Sequence, residues 1–267
     1  MPATVAMPGP DEFAGKGVVV TGGTRGIGAG IASAFLAAGA RVLVCGRTPP
    51  ATDADLPSAD GRRARFYRAD VRDPDQAAAL MAAGADLLGS VDVLISNAGG
   101  APETASATAS PRFHAKIIEL NLTAPLHCAQ AANAIMQAQD DGGAILMIGS
   151  VSGTRPSPGT AAYGAAKAGL QHLVTSLAIE WAPRVRLNSV VPGFVATDAA
   201  ASHYGDPESA AAVARTVPLR RMASPADVAA ACLFLASPRA AYISGASLLV
   251  HGGGEPPAFL AVAHGSL

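Results

Sequence analysis

Aromatic residues make up only 4% of this 267-residue chain, with a single tryptophan, and charged residues only 15%. A formal net charge of −1 gives no reason to expect a nucleic acid or a membrane surface as partner. Cysteine is scarce: Cys45, Cys128 and Cys232 show no paired spacing. An odd count with no secretory context argues against a disulfide framework and favours reduced thiols in a cytoplasmic setting. The six histidines never stand three or four residues apart, so no metal-site pattern is visible. No uninterrupted apolar run is long enough to span a bilayer. The opening stretch, Met1 to Pro10, lacks the basic segment and apolar core of a signal peptide, so residues 1–14 read as a flexible tail.

What the chain does have is apolar residues, at 50% of its length, which suits a sheet buried on both faces. Strand patterns fall at Val18–Thr21, Arg41–Cys45, Arg65–Arg68, Val91–Ser96, Ala144–Ile148, Val185–Val191 and Ser247–Val250. Helical patterns lie between most of them, at Ile27–Ala38, Pro74–Leu88, Arg112–Ala138, Ala161–Trp181 and Pro225–Ala236. This alternation predicts an α/β fold, a Rossmann-like doubly wound parallel sheet with helices on both faces. No Pro/Ser-rich linker divides it, so residues 15–253 read as a single domain. Abundant alanine blurs the edges of the elements. Residues 198–221 break the alternation and read as a substrate lid or a plain surface loop. Residues 254–267 form a C-terminal tail that either packs on a neighbouring subunit or trails in solvent.

Chemistry concentrates at Tyr163 and Lys167, four residues apart in a helical pattern, with Ser150 thirteen positions upstream. One helical turn separates the first two, so both side chains face the same space. A phenol titrates near ~10 and an adjacent ammonium favours phenolate, so Lys167 is expected to pull Tyr163 toward the working range. A serine hydroxyl nearby can hydrogen-bond a substrate oxygen. Upstream, Gly17-Val-Val-Val-Thr-Gly-Gly-Thr-Arg-Gly-Ile-Gly28 is a strand turning through glycines into a helix. Such a turn lets backbone approach a pyrophosphate, with free N–H groups of the helix start facing the anion. The spacing, Gly22-x3-Gly26-x-Gly28, departs from the common G-x-G-x-x-G. Asn97-Ala-Gly99 follows a further apolar strand.

These motifs, with Asp70-Val71, Asn121 and Pro192-Gly193, resemble the short-chain dehydrogenase/reductase family in its compact form, from about Gly15 to Gly253. The resemblance implies a nicotinamide cofactor held by Gly22, Thr24, Arg25, Gly26, Ile27 and Gly28. Asp70 would bind the adenine amino group, with Val71 against the ring, and Asn97, Ala98 and Gly99 would run along the adenosine ribose. Pro192, Gly193, Val195 and Thr197 would clasp the nicotinamide carboxamide. Where NAD-selective members carry an acid after the second strand, this chain has Gly46 followed by Arg47. Arg25 and Arg47 together suit a 2′-phosphate, so NADP(H) is favoured and NAD(H) is the alternative.

The resemblance further implies that Tyr163 is the general acid/base and that Ser150 polarises the substrate oxygen. Lys167 would hold the nicotinamide ribose, and Asn121 would place a relay water; otherwise Asn121 is a helix-disrupting residue bonded to local backbone. The implied activity is hydride transfer between nicotinamide and a small-molecule carbonyl or secondary alcohol. A 3-oxoacyl thioester is one candidate substrate; a steroid, sugar or small ketone is another. Arg220-Arg221 hints at a basic patch for a carrier protein. A non-catalytic nucleotide-binding regulator is the remote alternative, and the presence of both Tyr163 and Lys167 argues against it. The family also implies a cytoplasmic homotetramer, with the lid over the substrate. Gly149 stands where a second serine is common, and His251 where Asp is.

Overall fold

The apolar runs form one seven-stranded sheet in which each strand pairs parallel to its neighbours. The computed structural model describes residues 11–197, 204–257 and 259. Through the first half, β1 (Gly17–Thr21) leads into α1 (Gly26–Ala37) and β2 (Arg41–Gly46). A small hairpin of β3 (Ser58–Ala59) and β4 (Arg62–Arg63) precedes β5 (Arg65–Arg68), α2 (Pro74–Leu88) and β6 (Val93–Ser96). The second half runs α3 (Pro111–Ile118), α4 (Ala124–Ala138), β7 (Gly143–Ile148), α5 (Ala161–Glu180), β8 (Val185–Pro192), α6 (Pro207–Thr216), α7 (Pro225–Ala236) and β9 (Ser247–Val250).

Strand order is β5-β2-β1-β6-β7-β8-β9. The chain winds outward one way from β1 and the other way from β6, so the topological switch lies between these two strands. In open α/β sheets ligands sit in the crevice at this point, beyond the carboxyl ends of the strands. The glycine turn after β1 and Asn97 after β6 flank it.

Both sheet faces are dry. Val18 and Val20 point into a core with Ile31, Phe35, Val228 and Leu233 of α1 and α7, whereas Val19 points into the opposite core with Leu80, Met136 and Leu170 of α2, α4 and α5. Alternation along one strand thus supplies two cores, each fully buried valine or leucine adding about 1.5–3 kcal/mol. Gly30 lets α1 and α7 meet: a Cβ there would stand 2.4 Å from Pro225 Cβ.

Several expectations are corrected. The helix expected over Arg112–Ala138 forms from Pro111 to Ala138, but with a π turn at Glu119–Thr123 that divides it into α3 and α4. The flexible tail expected over residues 1–14 ends earlier, because Phe13 is 3% exposed and stacks edge-on against Phe35 at 4.9 Å. The C-terminal tail is fastened at its start, where Glu255 pairs with Arg155 at 2.7 Å. Of the expected lid, residues 198–203 lie outside the described residues. The remainder contains α6 and buried Val217. The expected basic patch is half neutralised, since Arg221 donates to both carboxylate oxygens of Asp227 at 2.7 Å.

Candidate active site

Local packing brings the glycine turn and the second crevice strand into register. Thr21, buried at the end of β1, accepts hydrogen bonds at Oγ1 from the backbone N–H groups of Asn97 (2.9 Å) and Ala98 (3.0 Å). Asn97 Nδ2 returns bonds to the carbonyls of Thr21 (3.0 Å) and Gly22 (3.1 Å). Gly22 itself has φ +62°, the left-handed region that glycine tolerates. A Cβ on Gly28 would sit 2.3 Å from Gly22 O and 2.5 Å from Asn97 Nδ2. Helix α1 therefore starts hard against the turn.

That start, like the start of α5, leaves its N–H groups without a side-chain cap. No side chain caps α1 and no acid lies in its first turn, whereas α2, α3, α6 and α7 are capped by Asp73, Ser110, Asp206 and Ser224. The unsatisfied N–H groups and the helix dipole favour negative charge there. A pyrophosphate thus fits the chemistry of the turn. Thr197 faces Gly26 across the opening, 3.7 Å from where a Cβ would be. Ile27 packs on the core beneath.

Gly46 ends β2 beside Thr24: a Cβ built on it would find Thr24 Oγ1 at 3.7 Å and no tighter contact. An acid would fit sterically, and the position lacks one. Arg25 and Arg47, the next residues of the two abutting segments, are both exposed. Val71 is buried, and Asp70 differs from a free adenine-binding carboxylate. Arg72 donates to it through Nε (2.9 Å to Oδ1) and Nη2, and this pairing holds the carboxyl below its ordinary range.

The second cluster lies at the ends of β6 and β7. Lys167 Nζ donates to Ile148 O at 2.8 Å, and burial pushes its ammonium down to about 8. Asn121, fully buried in the π turn, donates through Nδ2 to Ile117 O and Gly100 O (2.9 Å each) and accepts from Gly100 N at 2.8 Å. A Cβ on Gly99 would stand 2.7 Å from Asn121 Oδ1 and 3.4 Å from Lys167 Nζ, so these two groups converge on one small space. Ser150 caps a short 3₁₀ turn, its Oγ accepting from Ser152 N at 3.1 Å.

Two glycines press that turn onto α5. A Cβ on Gly153 would meet Ala168 N and Lys167 C at 2.7 Å, and one on Gly164 would meet Ser152 O at 2.8 Å. Ser150 is thereby set beside Tyr163. The expected lowering of the Tyr163 phenol by Lys167 is not found. Burial is the largest influence and raises it; Ser150 lowers it by hydrogen bonding, and Tyr204 raises it further. Lys167 Nζ lies over the Tyr163 ring, 5.6 Å from its centroid, and is itself desolvated.

Pro192 ends β8 opposite Val250, and Gly193 N donates to Val250 O at 3.0 Å. His251 packs on Gly193, 2.9 Å from where its Cβ would be, and Val195 bridges to Ala223. A serine at 149 would collide: its Cβ would lie 2.9 Å from Ser189 Oγ, which fills that space and bonds Met147 O.

A family model described as Enoyl-(Acyl carrier protein) reductase matches residues 22–255, spanning both clusters. The chain belongs to the short-chain dehydrogenase/reductase family. It is an oxidoreductase of the nicotinamide-binding kind that this family comprises. Among its relatives, it is 38% identical over 245 residues to L-rhamnose 1-dehydrogenase (NAD(P)(+)) of Azotobacter vinelandii, covering 89% of this chain and 96% of that one. It is 36% identical over 240 residues to 3-oxoacyl-[acyl-carrier-protein] reductase of Synechocystis sp., covering 88% and 95%. The ligand-free structure of Thermoplasma acidophilum aldohexose dehydrogenase superposes with a TM-score of 0.84 at 29% identity, covering 92% and 96%.

In this short-chain dehydrogenase/reductase, sequence reasoning missed the residues that position the site: Thr21, Gly153, Gly164 and Ser189. Thr21 lies inside the glycine motif and Gly153 follows Ser150 by three, so position hinted at both. Nothing local marked Ser189. Among the described residues no helix is long and apolar enough to cross a membrane, and no group of acids, histidines and cysteines could hold a metal.

Proposed function

We propose that the chain is an NADP(H)-dependent carbonyl reductase, working in reverse as an alcohol dehydrogenase. The observation that carries the cofactor preference is the junction of Thr24-Arg25 with Gly46-Arg47, two exposed guanidinium groups and no acid where a 2′-phosphate would lie. When bound, the nicotinamide supplies or accepts the hydride. The α1 start and the Gly22–Gly28 turn hold the pyrophosphate, and Asp70, Val71 and the Asn97–Gly99 strip line the adenosine side. Pro192, Gly193, Val195 and Thr197 hold the carboxamide end.

In reduction, Ser150 orients the carbonyl oxygen and Tyr163 gives it a proton. Burial keeps the phenol protonated, the form that donates in this direction. Lys167 and Asn121 converge beside Gly99, where Lys167 would hold the cofactor ribose and Asn121 would place a relay water that lets Tyr163 regain its proton. The substrate is a small carbonyl compound. The case for a carrier-borne 3-oxoacyl thioester loses the support of Arg221, which Asp227 engages. We also assign the chain to the cytoplasm, consistent with three buried free thiols, and to a homotetramer. Exposed Leu248 and Leu249 on edge strand β9 favour assembly there, and sedimentation as a monomer at micromolar concentration would refute it.

Fluorescence titration with NADPH and NADH tests the cofactor reading. Wild type should bind NADPH at least ~10-fold more tightly, through charge-assisted contacts to the phosphate. The Arg25→Ala/Arg47→Ala variant should lose that margin, and Gly46→Asp should reverse it. Equal affinities in the wild type would overturn the reading.

A further inference from the structure

The wall beyond Tyr163 contains a cation that the hydride chemistry does not use. Arg155 follows Ser150 by five residues. Its guanidinium lies over the ring of Phe194, 5.9 Å from the centroid, and Phe194 comes directly after Gly193. Phe194 in turn meets Tyr204 edge-on at 5.7 Å. The wall thus runs from Arg155 through Phe194 to Tyr204, and Arg155 itself lies just beyond the Ser150 turn that packs on α5 beside Tyr163.

The guanidinium is incompletely used. Nη2 donates to Glu255 Oε1 at 2.7 Å and Nη1 to Pro156 O at 3.2 Å, while Nε is buried and has no hydrogen-bond partner among the described residues. An arginine that recognises a carboxylate in full does so through two parallel N–H groups. Glu255 engages it through a single nitrogen. The pair is also partly open to solvent, with the Arg155 and Glu255 side chains 35% and 33% exposed, so the contact is weak enough to yield to a better-matched carboxylate.

We propose that Arg155 is the specificity residue of this oxidoreductase and that it binds a carboxylate on the substrate, with Glu255 as the internal occupant that the substrate displaces. The preferred substrate is then an oxo acid, or the hydroxy acid formed from it, whose carboxylate lies away from the reacting carbon. Phe194 supplies the apolar surface beside the charge. This inference rests on the oxidoreductase reading of Ser150, Tyr163 and Lys167.

The test compares kcat/KM for short linear and cyclic oxo acids, each beside its methyl ester, with the favoured cofactor. Wild type should prefer acids by at least ~10-fold, the scale of a charge-assisted contact. Arg155→Met should collapse the acid-to-ester ratio toward one, chiefly through KM. Glu255→Gln, which removes the competing charge and keeps the side-chain shape, should lower KM for acids about threefold and widen the ratio. If Arg155→Met does not fold, the Glu255→Gln result still decides. Esters used as well as acids by the wild type, or a ratio untouched by both variants, would overturn the proposal. Cofactor-dependent turnover of neither set would overturn the proposal, while the NADPH titration reads the cofactor site separately.

Discussion

Helices α1 and α7 lie side by side on one face of the sheet and begin in opposite ways. The start of α7 is closed. Ser224 caps it in a reciprocal box with Asp227, Pro225 occupies the first turn, and Arg221 braces the Asp227 carboxylate from outside. The start of α1 is open, with glycines at 26 and 28, an arginine before them and no side-chain cap. Both ends face the same energetic problem of orphan N–H groups, and only one is solved within the protein. On the proposed function, the difference marks where a cofactor would complete the fold and where the chain must complete itself.

Closing the open start should have the largest effect. In Gly28→Ala the new methyl would collide with Gly22 O and Asn97 Nδ2, prying the turn from the crevice. Cofactor affinity by calorimetry should fall at least ~100-fold, since a misplaced anion site forfeits several charge-assisted bonds. Near-normal affinity would show that the turn does not hold the phosphates.

The second test concerns the cation facing the other end of the cofactor site. Burial depresses Lys167 to about 8, below its unfolded value, so the apo protein loses this charge as pH rises through about 8. If the ammonium binds the cofactor, affinity should fall roughly tenfold per pH unit above that point, and Lys167→Met should abolish the step. For folding the sign is reversed: the buried ammonium costs stability below about 8, and that cost is relieved between there and the unfolded value near ~10.4. A pH-independent affinity in the wild type would remove Lys167 from cofactor binding.

The smallest effect belongs to the closed start. Asp227→Asn should cost about 1–2 kcal/mol, most of it from the cap and less from the half-exposed ion pair, and leave cofactor affinity unchanged. Arg221 and the cap hold the Asp227 carboxyl below its ordinary range. Its contribution is therefore present above the unfolded value near ~3.9 and fades as pH falls below it. Urea melts of wild type and variant should differ at neutral pH and converge in acid. A loss of cofactor affinity in this variant would undo the contrast between the two helices.

The open start was legible in the sequence because glycines, a preceding β-branched run and a following helical pattern are all local. Tyr163 and Lys167 were legible for the same reason. What escaped depends on distance in the chain or on depth. Arg155 and Glu255 are one hundred residues apart and meet only through the fold. The state of Tyr163 was misread because its neighbour is visible in the sequence and its burial is not. Asn121 matches the local reading weighed for it, bonding to backbone within a π turn, and it also converges with Lys167, where the proposed relay water would sit. The β3–β4 hairpin had a readable signal in Asp60-Gly61, whose φ values of +50° and +75° suit a tight primed turn. Phe13 sat too close to a Pro/Gly-rich beginning to look like core.

The π turn at Glu119–Thr123 carries a consequence of its own. Such a turn holds one residue more than regular helix requires. Removing any one of those five residues would take up that extra residue and let α3 and α4 run on as regular α-helix, with the flanking turns in phase and the bulge that carries Asn121 gone. Asn121 would swing out of its pocket between Gly100 and Ile117. The site therefore depends on a count as well as on identities, and a deletion that spares every named side chain would still dismantle it.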